Sequence, residues 1–498
     1  MNGRSVMALL SICVLIFLLD IEYSAVNLAL KTISEETDVA LGFVQWVLSS
    51  YVLVWGALIL PAGRFGNIYG QRTTLFVGLF LFLLGSAVAG ISGNIDVLIF
   101  GRIVQGVGAA VFSTPCYSII FSIMPDNRKG IALGIISAVG SLGLAVGPTI
   151  SGLILDYLNW RWIFWLNIPL GILSYLIGLY SIPKDNPIAA HEKIDWVGAF
   201  SLAAGISLLI YSLNQIEAHS VFSMPFAASA LASGLLLIFF WRWNAKSPWQ
   251  TLPDRLVKHK TFVRIIGAAF LASVIFADVL VMIGIYLQNT LQFSSSTAGF
   301  IFLAMSVPLG IFSPIGGKLT DRFPGHIPVI AGTVLMFFST ALMIFFTQET
   351  PLFYVLIALG MNGMGCGLMY PALNTVALRV LAPQDVSYGS AAFTMAVMLG
   401  NTSSVVFNTS LCVIMGKIKL ETLMPHLSFS LTEVQKDILK GLIAHIDHGA
   451  DQLIAFPATM IPALTSLLDH AFLRGFSATM IAGTVCGFAI LVISWRRI

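Results

Sequence analysis

The chain has little charge. Of 498 residues only 10% are charged and 57% are hydrophobic, and the mean hydropathy is +0.90. Soluble domains carry about 25% charged residues, so a water-facing surface for a chain this long could not be covered. A soluble multidomain enzyme does not fit, whereas a bilayer removes the need for surface charge. The formal net charge of +3 is too small to argue for nucleic acid. No CxxC pair occurs. The five cysteines, Cys13, Cys116, Cys366, Cys412 and Cys486, all lie in apolar stretches and read as small packing residues. The eight histidines lie outside the apolar runs, so neither a metal site nor a membrane-embedded catalytic cluster is indicated. No GxxxxGK[ST] segment is present, which argues against ATP as an energy source. No cofactor is implied.

What the chain has is apolar runs. Spanning about 30 Å of hydrocarbon takes roughly 20 apolar residues in a helix. About fourteen such runs occur, near 6–30, 43–62, 74–92, 97–124, 130–157, 161–182, 195–214, 224–243, 262–288, 297–319, 327–347, 352–381, 388–416 and 474–494. The first, preceded by Arg4, is too long for a signal-peptide core and leads directly into further spans, so it reads as a retained helix. Sorting Lys and Arg by the positive-inside rule places both termini in the cytoplasm. Of the outer-side cations Lys31, Arg161, Lys417, Lys419, Lys436, Lys440 and Arg474, five lie in or beside one long outer loop. That loop, 419–473, is expected to hold a helix from Thr432 to Phe456, with Thr432 as N-cap, and another from Pro457 to Leu473. A basic cytoplasmic segment, 244–261, separates the eighth and ninth spans.

Glycine and proline are dense inside the runs, where they allow close helix approach. Four clusters are more specific. The run Gly63-Arg64-Phe65-Gly66-Asn67-Ile68-Tyr69-Gly70-Gln71-Arg72 joins spans 2 and 3, and Arg102-Ile103-Val104-Gln105-Gly106 opens span 4. Span 5 holds Gly143-Leu144-Ala145-Val146-Gly147-Pro148-Thr149-Ile150-Ser151-Gly152, and span 6 begins Trp160-Arg161-Trp162-Ile163-Phe164-Trp165-Leu166-Asn167-Ile168-Pro169. In this order they resemble the major facilitator superfamily and, more narrowly, its fourteen-span drug:proton antiporter branch. The first is similar to the superfamily's loop signature, the second to its span-4 arginine motif and the third to its antiporter motif. The fourth is similar to a stretch typical of the fourteen-span branch. A weaker echo of the loop signature, Gly317-Lys318-Leu319-Thr320-Asp321-Arg322-Phe323, follows span 10, as a duplicated fold would place it. Two departures stand out: Asn67 occupies the place of the usual aspartate, and Gln71 that of a basic residue.

The resemblance implies an all-α membrane protein of about fourteen helices. Residues 1–183 would form a six-helix bundle, 184–261 two extra helices with the basic linker, and 262–498 a second six-helix bundle that includes the 419–473 loop. It implies no enzyme activity, but alternating-access export of a small amphipathic compound against protons across a bacterial inner membrane, by a monomer. The branch also includes exporters of one endogenous metabolite, such as a siderophore or lipid-like molecule, and members that pair with a periplasmic adaptor. A receptor or scaffold that no longer transports is a third reading, favoured only by Asn67 and Gln71.

Charges at bilayer depth are costly and invite functional roles. Here they are Asp20 and Glu22 in span 1, Arg102 in span 4 and Asp278 in span 9. Glu22 stands five residues before Asn27, the register of the family's span-1 acid. Helical periodicity favours its neighbour, because Asp20, Ser24 and Asn27 form one stripe. Glu22 lies about 200° around the helix from Asp20. The motif register puts Glu22 first for proton coupling, with Asp278 as the second acid, meeting it from the opposite half near the membrane centre. Arg102 is assigned by the resemblance to the same coupling. Tyr23, Asn27, Trp46, Tyr51 and Phe112 are candidates to line a substrate cavity, where aromatic faces favour flat or cationic ligands. Gly63, Gly66, Asn67, Gly70, Arg72, Gly143, Gly147, Pro148, Gly152, Asp321 and Arg322 are candidates for gating and helix packing.

Overall fold

Backbone amides and carbonyls in hydrocarbon must be satisfied within the chain, and the sequence meets this with helices throughout. The computed structural model describes residues 2–39, 41–185, 195–219, 224–427, 431–444, 456–457 and 460–495, and no strand occurs among them. The helices are α1 (Gly3–Thr37), α2 (Trp46–Tyr69), α3 (Gln71–Gly90), α4 (Ile95–Ile123), α5 (Lys129–Tyr157) and α6 (Arg161–Ser181). Next come α7 (Trp196–His219), α8 (Met224–Lys246), α9 (Lys260–Thr290), α10 (Ser295–Arg322), α11 (His326–Met343), α12 (Leu352–Arg379) and α13 (Val386–Leu423). A short α14 (Glu433–Ala444) and α15 (Ile461–Trp495) end the chain. Among the described residues thirteen helices are long and apolar enough to cross a bilayer, and α7, with its apolar stretch Trp196–Ser212, makes a fourteenth apolar helix.

Local chemistry sets several ends. Asn94 caps α4 by accepting from the Val97 amide at 2.9 Å, and Ser294 caps α10 through the Thr297 amide at 3.3 Å. Thr432 and Gln435 exchange hydrogen bonds as a capping box at the start of α14. The outer segment differs from expectation beyond that cap. The fold continues α13 to Leu423 and starts the last helix at Ile461, so the two bordering spans project outward and shorten the loop. The rest of the expected 432–456 helix, from 445 to 455, lies outside the described residues. The second expected helix is the first turns of α15. It packs Leu464, Leu467 and Ala471 against Leu420 and the α14 residues Leu439 and Leu442, an apolar contact that a free loop would lack.

Two halves, α1–α6 and α9–α15, face each other, with α7 and α8 paired beside α2 and α13. At the end of the molecule bearing the two termini they are joined directly. A methyl at Gly130 would meet the Gly317 carbonyl at 2.2 Å, and one at Gly63 would meet Ala391 at 2.8 Å. Only glycine allows backbones this close. Ser387 donates to the Gly63 carbonyl at 2.6 Å, and Asn67 donates to the Gln384 carbonyl at 3.0 Å. Asp321 accepts from the Gly130 and Ile131 amides, both at 2.9 Å, at the start of α5. Arg379 pairs with Asp321 at 2.5 Å and donates to the Asp126 carbonyl at 2.9 Å. At the far end the apolar cores stay separate. One contains Ala25, Ile33, Val47 and Trp160 of the first half, the other Val279, Tyr286, Val355 and Phe476 of the second. The bonds of Ser387, Asn67, Asp321 and Arg379 that join the halves all lie at the terminus-bearing end. The structure is therefore closed at the terminus-bearing end and parted at the other.

Asp321 neutralises helix-end amides and an arginine together, so removing it leaves the amides without a partner and Arg379 without its counter-charge at the seam. Asp321→Ala should widen the distance distribution between spin labels at Lys184 and Lys318, measured by pulsed electron resonance. An unchanged distribution would show that the seam closes without this carboxylate.

Candidate functional site

Glu22, Arg102 and Asn167 meet inside the first half, all enclosed to 1% exposure or less. One Glu22 oxygen is paired with the Arg102 guanidinium, and the other accepts from the Asn167 amide at 2.5 Å. Arg102 further donates to the Gln105 side-chain oxygen and to the Val47 carbonyl, each at 2.8 Å. Its guanidinium lies over the Tyr51 ring, 4.3 Å from the centroid. Asn167 also donates to Ser86 at 2.8 Å, and Ser86 in turn donates to the Phe164 carbonyl at 2.8 Å. One guanidinium thereby ties α1, α2 and α4 together, and Asn167 and Ser86 add α6 and α3. Asn167 opens the longer part of α6, just after the Arg161–Trp165 turn. The aromatic run before it is anchored separately. Trp160 and Arg161 donate to the two Glu36 oxygens at 2.6 and 2.7 Å, and Arg161 also reaches the Ser92 carbonyl.

Asp20 points the other way. It is half-buried, and its carboxylate lies against α5, where a methyl at Gly140 would stand 2.4 Å from it. Gly143 abuts Phe17 and Asp20, and a methyl at Gly147 would be 1.9 Å from the Ser24 hydroxyl. Ser24 sends a long hydrogen bond of 3.5 Å to the Gly143 carbonyl. The polar stripe of α1 and the glycines of α5 are thus one interface. Pro148 belongs to the same helix, while Gly152 has only Leu28 nearby at 3.7 Å. Tyr23, 44% exposed, and Asn27 continue toward the parted end.

Two expectations are corrected. Phe112 does not line a cavity: it is fully enclosed, edge-on to Phe82 at 5.4 Å, because Gly78 lets α3 lie against its backbone. Tyr51 is likewise buried and serves as the floor under Arg102. Trp46, 36% exposed, stacks one face on Tyr211 of α7 at 6.2 Å and keeps the rest of its ring open. The expected meeting of two central acids is also absent. Asp278 is fully buried within the second half, against Gly483 and Thr479 of α15, with no described bond to Glu22. The Thr479 hydroxyl is near, but it donates to the Phe476 carbonyl at 2.9 Å. Both Asp278 oxygens are left without a well-formed partner.

At the terminus-bearing end, Gly70 adopts φ +94°, and any side chain there would strike Asp185. Asp185 caps α3 by accepting from the Arg72 and Thr73 amides at 2.8 Å. Arg72 holds the Leu179 carbonyl in the last turn of α6 and the Ile182 carbonyl just beyond it, both at 2.9 Å. Gly66 packs against the Gln71 side chain, which donates to Asn67 at 3.4 Å. No partner is described for the Arg322 side chain, next to Asp321 in sequence. A cavity of about 540 Å³ opens here, bordered by Asn67, Arg72, Asp126, Lys129 and Arg379, and none of the buried acids touches it. Asn167, Ser86 and Thr479 carried no assigned role in the sequence. For Asn167 the available signal was an amide at the start of an otherwise apolar run.

Removing one partner of a buried ion pair typically costs about 3–5 kcal/mol, because the other charge is left uncompensated. Glu22→Gln should therefore lower the thermal midpoint of the purified protein sharply, while Glu22→Leu with Arg102→Leu recovers much of it. Equal midpoints for wild type and Glu22→Gln in detergent melts would contradict the pair's structural weight.

A profile of the Major Facilitator Superfamily matches residues 10–282 and 265–417. The multidrug resistance protein Stp of Mycobacterium tuberculosis is 26% identical over 510 residues, covering 100% of this chain and 92% of Stp. The riboflavin transporter RibZ of Clostridioides difficile is 28% identical over 383 residues, covering 76% of this chain and 82% of RibZ. Among solved structures, the human organic anion transporter MFSD10 aligns with a TM-score of 0.62 at 12% identity. That alignment covers 99% of this chain and 97% of MFSD10, a likeness of fold alone. The matched profile spans both halves, and with it the chain is placed as a multi-pass membrane transporter of the Major Facilitator Superfamily.

Proposed function

We propose that the chain exports amphipathic organic compounds across a bacterial cytoplasmic membrane in exchange for protons. The observation that carries this reading is the pairing of a seam closed at one end and parted at the other with carboxylates enclosed at membrane depth. A carrier that alternates access needs a seam that can open on either side. A carrier that uses protons needs acids whose surroundings change as it does. Relatives with drug-resistance names, Stp among them, support an organic cargo. In this reading residues 1–183 and 262–498 rock against each other, and 184–261 flanks them. Both termini face the cytoplasm, so the described state opens outward. Glu22, Asp278, Asp20 and Arg102 form the proton-coupling set, and Tyr23 and Asn27 border the outward opening. Gly63, Gly66, Gly70, Gly143 and Gly147 let the helices approach closely enough to move as packed units.

A second reading, transport of one metabolite, is favoured by the likeness to the riboflavin transporter RibZ. Everted respiring vesicles carrying a pH-gradient dye separate the two. Collapse of the gradient on adding several unrelated cationic drugs would support broad export. Collapse with a single vitamin-like or lipid-like compound would support the narrower role, and no collapse with any compound would overturn proton antiport.

Gly147→Leu would drive a side chain into Ser24 and force α1 from α5. Drug-dependent collapse of the gradient should fall at least tenfold while the protein still reaches the membrane. A fully active variant would remove the α1–α5 contact from the mechanism.

A further inference from the structure

The two halves are internal repeats, and their helix crossings fix the register between them. Gly78 of α3 lies against Phe112 of α4, and Gly108 against the Gly78 carbonyl. In the second half Gly332 of α11 lies against Met369 of α12, and Gly365 against the Gly332 carbonyl. Carried along these helices, the register pairs Ser86 with Thr340, Arg102 with Leu359 and Gln105 with Asn362. A second crossing extends it to the first helix of each half. Gly143 of α5 meets Phe17 and Asp20, and Gly400 of α13 meets Phe270 and Ser273. This pairs Glu22 with Ile275. The ion pair of the first half is therefore replaced in the second by two fully buried aliphatic residues, Ile275 and Leu359.

Asp278 stands one turn beyond Ile275 on the same face of its helix, fully buried. The groups around it are Thr479, Gly483 and Cys486 of α15, Thr340 of α11 and Cys412 of α13. A methyl at Gly483 would lie 3.3 Å from both the Asp278 carboxylate and the Thr340 methyl. No Lys, Arg or His is among these groups, and both carboxylate oxygens lack a partner. The nearby hydroxyls are already committed. Thr340 donates to the Met336 and Phe337 carbonyls at 3.2 and 3.1 Å, and Thr484 donates to Met480 at 2.8 Å and to Thr340 at 3.0 Å.

We propose that Asp278 is the exchangeable proton site of this transporter, and that Glu22, locked between Arg102 and Asn167, keeps its charge throughout the cycle. The proposal deepens the proton-coupled reading above and rests on it. A buried carboxylate without a counter-charge or hydrogen bond is strongly disfavoured as an anion. The enclosed Asp278 carboxyl of the described state thus suits the neutral acid. Protonation forms one O–H bond on a carboxylate oxygen. Release breaks that bond and returns the proton to water, which must first reach the pocket between α9, α11 and α15. A metal cation would need a shell of several free oxygens, and the committed threonines leave only the carboxylate. Glu22 differs on each count: its counter-ion is part of the chain, and both its oxygens are bound.

The test is infrared difference titration of the full-length protein in lipid bilayers, following the carbonyl stretch of a protonated carboxyl group as pH is changed. The titrating band should vanish in Asp278→Asn, move in Asp278→Glu and persist in Glu22→Gln. Asp278→Glu keeps the test decisive if the asparagine variant fails to fold. The proposal is overturned if the band survives in Asp278→Asn, is unmoved in Asp278→Glu, is lost in Glu22→Gln or is absent from wild type. A sodium-dependent shift of the band without pH dependence would overturn it too. The vesicle assay separates the two readings: a titrating Asp278 without drug-dependent collapse would retire the exporter and leave the site.

Discussion

A guanidinium that cannot give up its proton is enclosed in the first half of this protein, away from water on every side. Its neighbours are arranged around that fact. Glu22 supplies the opposite charge, Val47 and Gln105 supply oxygens, and the Tyr51 ring covers a face. Asn167 donates to the carboxylate and brings in α6, and its bond to Ser86 brings in α3. Buried charge is tolerated only when paired and hydrogen-bonded, so one guanidinium ties three helices together and Asn167 and Ser86 join two more to them. The second half has no such centre. Its repeat-equivalent positions hold Ile275 and Leu359, and apolar packing does the same work.

The seam between the halves is asymmetric in the same manner. The repeated loop motif contributes Asn67 from the first half and Asp321 from the second. Asn67 makes one neutral hydrogen bond, to the Gln384 carbonyl. Asp321 gathers two backbone amides and Arg379. Charge-assisted hydrogen bonds are roughly twice as strong as neutral ones, so the charge missing at residue 67 is supplied at residue 321. Arg255, in the segment before α9, pairs with Asp385 at 2.7 Å, and Arg64 is bound by the Trp249 and Gln250 carbonyls. The segment joining the extra helices to the second half is thereby part of the closed end.

Much of this was legible in one dimension. Run lengths report hydrocarbon thickness and do not depend on packing, so the helices were readable as runs. The glycine clusters were readable too, because close helix approach requires glycine wherever the partner lies. Thr432 was recognisable as a cap because capping chemistry spans only three residues.

What stayed hidden depended on partners distant in sequence. Periodicity separated Asp20 from Glu22 but could not say which one faced Arg102, eighty residues away. Phe112, Tyr51 and Trp46 have the composition of a ligand cavity. Only the packing of Gly78 against Phe112 and of Arg102 on Tyr51 shows that those two rings are already used, while Tyr211 takes one face of Trp46. Asn167 stood in the span-6 motif without an assigned partner until α6 was set beside α1. The lone state of Asp278 is a property of what does not surround it, and a sequence cannot express that. Composition, run length and local caps are set by short-range chemistry and by the solvent, so the chain determines them alone. Which buried acid is paired and which is left without a counter-charge is decided where separate helices cross, and only the assembled bundle brings those crossings about.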